Sequence, residues 1–293
     1  MSAASDFAEL QKLAPKEAVA WLMARGAKLT KSYAWQDVWQ DEHGYQFTVS
    51  RLARLDLLQA LHESLVQSVA GDLSRKDWMR DAEQLLADAG WWGTKAVTDP
   101  DTGEIVYTKF DPARLKLIYD VNTRQAYSTG LWKRIERSKK TSPYVRYITK
   151  GDERVRASHR EWNNVVLPVD DPAWLTHWPI NGWRCRCRVM SMSQREYDRG
   201  YSLSRPGAEF NQDAPLVKTP LKKVAPEIKW REYINPRTGE VSQVPEGIDP
   251  GFAYNPGMAK QRQSALDDVV KGKLASASPD LADAARRDGL KKD

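Results

Sequence analysis

Cysteine is nearly absent: two residues in a chain of 293, both inside one stretch, which excludes a disulfide framework. No apolar run approaches the roughly 20 residues that a membrane helix requires, so no membrane partner is expected. The opening MSAASDFAELQK has neither the basic nor the apolar region of a secretory signal, and the expectation is a protein made and kept in a reducing cytoplasm. A Walker A lysine motif and a Gly-rich dinucleotide loop are both missing, so nucleotide chemistry has no support. Phenylalanine is scarce, at 5 residues; 12 Trp and 11 Tyr supply the aromatic bulk, and a hydrophobic content of 41% suffices for a core. Neither sign of charge dominates. The net +6 is a modest excess, compatible with polyanion partners without establishing them.

What is present divides the chain in three. Residues 1–142 read as mostly helical. PKEAVAWLMARG (15–26) opens on a proline suited to a first helical turn and closes on a glycine. Leu55, Leu58, Leu61, Leu65 and Val69 recur at helical steps, with His62 at the edge of the stripe as a satisfied boundary residue. Ser74 followed by Asp77 resembles a capping box ahead of a Trp78, Ala82, Leu85, Leu86 face. Glu104 to Phe110 reads as extended, and Asp111–Pro112 starts another helix. The apolar stripe of that helix includes Asn122. A buried amide without a partner costs on the order of 1–3 kcal/mol, so an interhelical hydrogen bond is expected there.

Residues 143–203 read as short strands, PYVRYIT, NNVVLPVD and GWRCRCRVM, followed by a short helix, SQREYDRG. Pro168 marks the middle strand as short or at an edge. From 204 to 293 periodicity is lost, first in a Pro- and Lys-rich arm and then in a polar tail over 273–293. TDPDTGEIV and INPRTGEVSQV share one turn chemistry and read as two similar hairpins, not a domain repeat. The expected fold class is α+β: a helical N-terminal half packed with a small antiparallel sheet, then an extended C-terminal arm.

NGWRCRCRVM (181–190) alternates arginine with cysteine. Successive strand side chains point to opposite faces. Trp183, Cys185, Cys187 and Val189 would then form an inner face, with Arg184, Arg186 and Arg188 as an outer stripe after a turn at Asn181–Gly182. Guanidinium groups recurring at about 6–7 Å can follow phosphates on DNA or pair with acids on neighbouring strands. VDDPAW and GDER supply such acids nearby, so internal pairing is favoured and DNA contact is secondary. The basic clusters LWKRIERSKK (131–140) and RYITKGDERVRASHR (146–160) read first as solvated faces, second as contacts to nucleic acid or acidic protein.

Zinc would draw on Cys185, Cys187, His159 and His177. Against it, a Cys-x-Cys pair on an extended strand spreads its sulfurs by about 6–7 Å, too far for one tetrahedral ion unless the strand bends. A redox pair would lack the helix N-terminus that activates Cys-x-x-Cys. A cysteine hydrolase using His159 with Cys185 or Cys187 matches no known signature. Packed structural cysteines, with no cofactor and no catalytic residue, are therefore expected; a metal-dependent or cysteine hydrolase is the alternative.

The stretch 144–190 closely resembles the phage Mu F-like head morphogenesis family, the minor head proteins of tailed phages. The matching elements are the run Asp152, Glu153, Arg154, Val155, Arg156 leading to Ser158 and His159; the Pro172 segment with Thr176 and His177; and Asn181, Gly182, Trp183 before Cys185, Arg186, Cys187. AVAWLMARG near the N-terminus, AGWWG and VPEGIDPGFAYNPG look like the Mu-type branch, so the resemblance spans most of 15–258. Asn163-Asn164 departs from an Asp-Gly turn common in the family; both pairs turn tightly, so the fold stands while any role of that Asp is lost. The resemblance implies a structural, non-enzymatic protein of the virion head, present in the host cytoplasm during assembly. Its implied partners are the portal and other head proteins, with packaged DNA as a further contact. Some relatives carry C-terminal toxin domains, and the roughly 35 residues after Pro256 are too few for an enzyme domain.

Overall fold

A computed structural model describes residues 16–204 and 217–259; the linker stretch 205–216 and the polar tail 273–293 lie outside the described residues. The fold is α+β, as the patterning requires. Among the described residues, four α-helices form the N-terminal half: α1 (Lys16–Arg25), α2 (Leu55–Ala70), α3 (Arg75–Asp88) and α4 (Pro112–Ser138). In α2 the residues Leu58, Leu61, Leu65 and Val69 are buried together. Leu55, expected at the head of that stripe, is exposed; it is the first helical residue, and Leu57 takes the inward position. Ser74 caps α3, its Oγ accepting from the Asp77 N–H at 3.1 Å, and Asp111 caps α4, its Oδ1 accepting from the Arg114 N–H at 2.9 Å.

α4 lies against α1, and Gly130 permits the approach: a Cβ there would sit 3.0 Å from the Ala18 backbone nitrogen. Asn122 makes the interhelical bond that its buried amide demands. Its Oδ1 accepts from Arg25 Nη1 at 2.9 Å, and its own amide donates to the Ile118 carbonyl at 2.8 Å. His62 is likewise satisfied, with Nε2 2.7 Å from the Leu22 carbonyl.

Between α3 and α4 a hairpin pairs β1 (Gly93–Thr98) with β2 (Ile105–Phe110). Only its second strand was expected: β1 alternates in exposure but fully buries just Val97, and its sequence GTKAVT shows no apolar–polar alternation. The second layer is a three-stranded antiparallel sheet with β3 (Tyr144–Ile148) at its centre. β4 (Val166–Pro168) is short and at the edge, as Pro168 indicated, and β5 (Arg188–Met192) lies on the other side. Val145, Tyr147 and Val189 meet Trp132, Trp162, Trp174 and Trp178 in one core, where Trp132 and Trp178 pack edge to face with centroids 4.8 Å apart. The short helices α5 (Ala157–Glu161) and α6 (Gln194–Arg199) flank the sheet; Ser193 caps α6 reciprocally with Glu196.

The described part of the C-terminal segment is held against the body. It forms hairpins β6–β7 (Tyr201–Ser204 with Val217–Pro220) and β8–β9 (Trp230–Ile234 with Val241–Pro245). Val244, Ile248, Phe252 and Ala253 then enter the sheet-side core. Gln125 of α4 donates to the Tyr254 hydroxyl at 3.1 Å, and Gly257 sits where a Cβ would meet Trp132 Cδ1 at 2.4 Å.

The two similar turns of the sequence have one geometry. Gly103 N–H donates to the Asp99 carbonyl, and Gly239 N–H to the Asn235 carbonyl, each at 2.8 Å; the two glycines have φ of 70° and 72°. The turns also dock on one another. Arg237 of the second reaches Asp37 Oδ1 at 2.7 Å, Asp99 Oδ2 at 2.5 Å and Asp101 Oδ2 at 3.5 Å.

Candidate functional site

The arginine–cysteine segment is not a strand from Trp183. Arg184 has φ of 61°, in the left-handed region, and the Cys185 N–H closes a turn onto the Gly182 carbonyl at 3.1 Å. Extended pairing starts only at Arg188. Cys185, Cys187 and Val189 do share a buried side, but Trp183 leaves it: the residue is 36% exposed, and its ring packs edge-on against Phe252. Gly182 is fixed by close approach. A Cβ on it would lie 2.4 Å from both Arg156 Nη1 and Asp249 Oδ2. That ion pair, 3.0 Å long, also ties down the turn, since Arg156 donates to the Trp183 carbonyl and Asp249 accepts from the Trp183 N–H.

Because the chain turns here, the two thiols converge instead of spreading. His159 Nδ1 lies 3.7 Å from Cys185 Sγ and 3.7 Å from Cys187 Sγ, and the three ligand atoms all fall within 4.8 Å of one another. This overturns the strand-spacing argument against a shared ligand site. The other ring nitrogen, Nε2, is 3.0 Å from the Gly247 carbonyl. A carbonyl can only accept, so Nε2 carries the proton and Nδ1 presents its lone pair to the sulfurs. Gly247, at φ of 85°, passes so close to Ser158 that a Cβ would meet the Ser158 Cβ at 2.4 Å. All three side chains are buried. The Cys187 thiol, sharing its proton toward Cys185, holds the Cys185 thiol well below its ordinary range and is itself pushed up.

His177 is not part of this cluster. It stacks on Trp162, with centroids 4.2 Å apart, and its Nδ1 meets Thr176 Oγ1 at 2.9 Å. Burial, and then the neighbouring His159, bring its pKa down to about 4. Asn163 and Asn164 make the tight turn expected of them. Asn164 has φ of 64°, and Asn163 Oδ1 accepts from the Thr149 N–H at 3.0 Å.

The arginines separate as well. Arg186 makes a two-pronged pair with Asp152, both contacts at 2.6 Å, and its charge holds the Asp152 carboxyl below the usual range. Arg188 is exposed on β5. Arg184 instead joins a cavity of about 710 Å³ whose wall includes His159, Cys185 and Cys187. Among the described residues its charged lining is Arg75, Lys116, Arg124, Lys150, Arg154, Arg156, Arg184 and Arg186 against one acid, Asp120. Three of these, Arg75, Lys116 and Arg124, come from α3 and α4, far from the motif in sequence, as do Asp249 and Gly247. No local pattern marks the three cations, and Gly247 and Asp249 lie in the VPEGIDPGFAYNPG stretch, whose resemblance gave them no role at this site.

Residues 59–190 match the family described as Phage Mu protein F like protein. The chain is 34% identical over 255 residues to the putative capsid assembly protein F of Escherichia phage Mu, covering 87% of this chain and 56% of that protein. It is 27% identical over 230 residues to the Mu-like prophage FluMu F protein of Haemophilus influenzae, covering 78% and 53% respectively. The chain thus spans about half the length of the curated relatives it matches. No solved structure matches.

Proposed function

The chain belongs to the Mu F-like family through residues 59–190, and from that premise we propose that it is a structural protein of phage capsid assembly. The carrying observation is the 34% identity, across 87% of this chain, to a protein named for capsid assembly. The site geometry fits a structural role. The thiols are buried, and most motif side chains bond other parts of the chain: Arg156 to Asp249, Arg186 to Asp152, His159 to Gly247.

Its partners in this reading are the portal and neighbouring head proteins, and its place is the phage head. Docking surface is on hand: Ile105 and Tyr107 on β2, and Trp230, Ile234 and Val241 on β8–β9, all expose large apolar side chains. Among the described residues no helix is long and apolar enough to cross a membrane. A contact to packaged DNA is the second element of the proposal, and the cation-lined cavity favours it. Deleting the gene from a phage that carries it is expected to abolish DNA-filled heads, with restoration from a plasmid copy. Normal yields of filled heads without the gene, seen by electron microscopy, would overturn the assembly role; failure of the tagged chain to co-purify with portal would overturn that partner.

A further inference from the structure

We infer that His159, Cys185 and Cys187 form a zinc site, with its fourth position supplied from the basic cavity. The donor set is two thiolates and one imidazole, which suits zinc and not the hard cations that seek oxygen. The spacing fits. Zn–S bonds of about 2.3 Å and a Zn–N bond of about 2.0 Å set S···N edges near about 3.5 Å in a tetrahedron. Both S···N distances here are 3.7 Å, so ligation needs only a slight contraction. The His159 ring is already oriented as a ligand. Its Nε2–H is anchored on the Gly247 carbonyl, the outer contact that fixes the tautomer of metal-bound histidines and leaves Nδ1 free to coordinate.

The surroundings hold the ligand frame in place. Arg124 donates to the Cys185 carbonyl at 2.8 Å, and the Arg186–Asp152 pair is anchored on the residue between the two cysteines. Two thiolates and Zn²⁺ sum to zero charge, so the ion neutralises what would otherwise be buried anionic sulfur. The three residues are also part of the cavity wall, which gives water, or a donor from an assembly partner, access to the remaining position. The ion would cross-link α5 to the 182–187 turn and, through Gly247, brace the C-terminal segment. The inference stands on this geometry and not on the capsid assembly reading.

The test is the metal content of the full chain, produced without added metal and with thiols kept reduced. About one zinc per chain is expected, and cobalt(II) added to the stripped protein should give thiolate-to-cobalt charge-transfer absorption with tetrahedral visible bands. Cys185→Ser, Cys187→Ser and His159→Gln should each lower zinc content at least about tenfold, while His177→Phe keeps it. Since the ligand variants can misfold, the wild type decides. Folded, reduced wild type that holds no zinc and gives no cobalt–thiolate band overturns the site, and so does about one zinc per chain retained in a folded Cys185→Ser/Cys187→Ser double variant.

Discussion

His177 shows how much one buried ring can determine. It is stacked on Trp162 and held neutral, its pKa brought down to about 4 by burial and by His159. In the unfolded chain the same ring titrates near about 6.5. As pH falls below that value the unfolded state takes up a proton that the native state refuses until about pH 4, so stability drops across this window. The drop attributable to His177 is up to about 3 kcal/mol. His62, also depressed by burial, acts in the same direction. Urea midpoints at pH 7 and 4.5 should therefore fall less in His177→Phe than in wild type, and equal falls would remove His177 from the account. Residues whose role is set by near neighbours were legible in the sequence: Ser74 and Asp111 as caps, Asn163-Asn164 as a turn. Gly182 was legible only as a turn former. What requires glycine there is the Arg156–Asp249 pair crossing above it, and Asp249 is 67 positions away.

At the scale of elements, periodicity identified the four long helices, missed the short α5 and the strand β1, and misjudged the segment at Cys185. Arginine and cysteine alternate in burial around Cys185 and Cys187, as a strand would, yet Arg184 in a left-handed conformation makes the segment a turn. A period of two in burial is satisfied by either. The twin turns were recognised from composition, but their docking was not, because it depends on Arg237 reaching residues about 140 to 200 positions earlier. That contact is testable. Arg237→Met leaves Asp99, almost fully buried, and Asp37 without their cation. The expected cost is about 1–3 kcal/mol, with faster amide exchange at 99–103 and 235–240. Exchange unchanged at both turns would mean that the hairpins are held by packing alone.

At the scale of the whole molecule, the cationic cavity appears only when the helical half and the motif are brought together, which is why a net charge of +6 gave so weak a signal. If DNA phosphates enter it, binding to duplex should weaken with salt at a log–log slope near about −0.9 per phosphate neutralised. Replacing Lys116, Arg154 and Arg184 with glutamine should flatten that slope by up to about three units. Arg186 is left in place, since removing it would strand Asp152. A slope identical in the triple variant would dismiss the cavity as a phosphate contact. The returning C-terminal segment has a consequence for how the protein is made. Trp132 leaves the ribosome 120 residues before its core neighbour Phe252, a delay of roughly 6–24 s at ordinary rates of synthesis. Through that interval the tryptophan-rich core lacks one of its walls, and a chain terminated before Ile248 would leave it open for good.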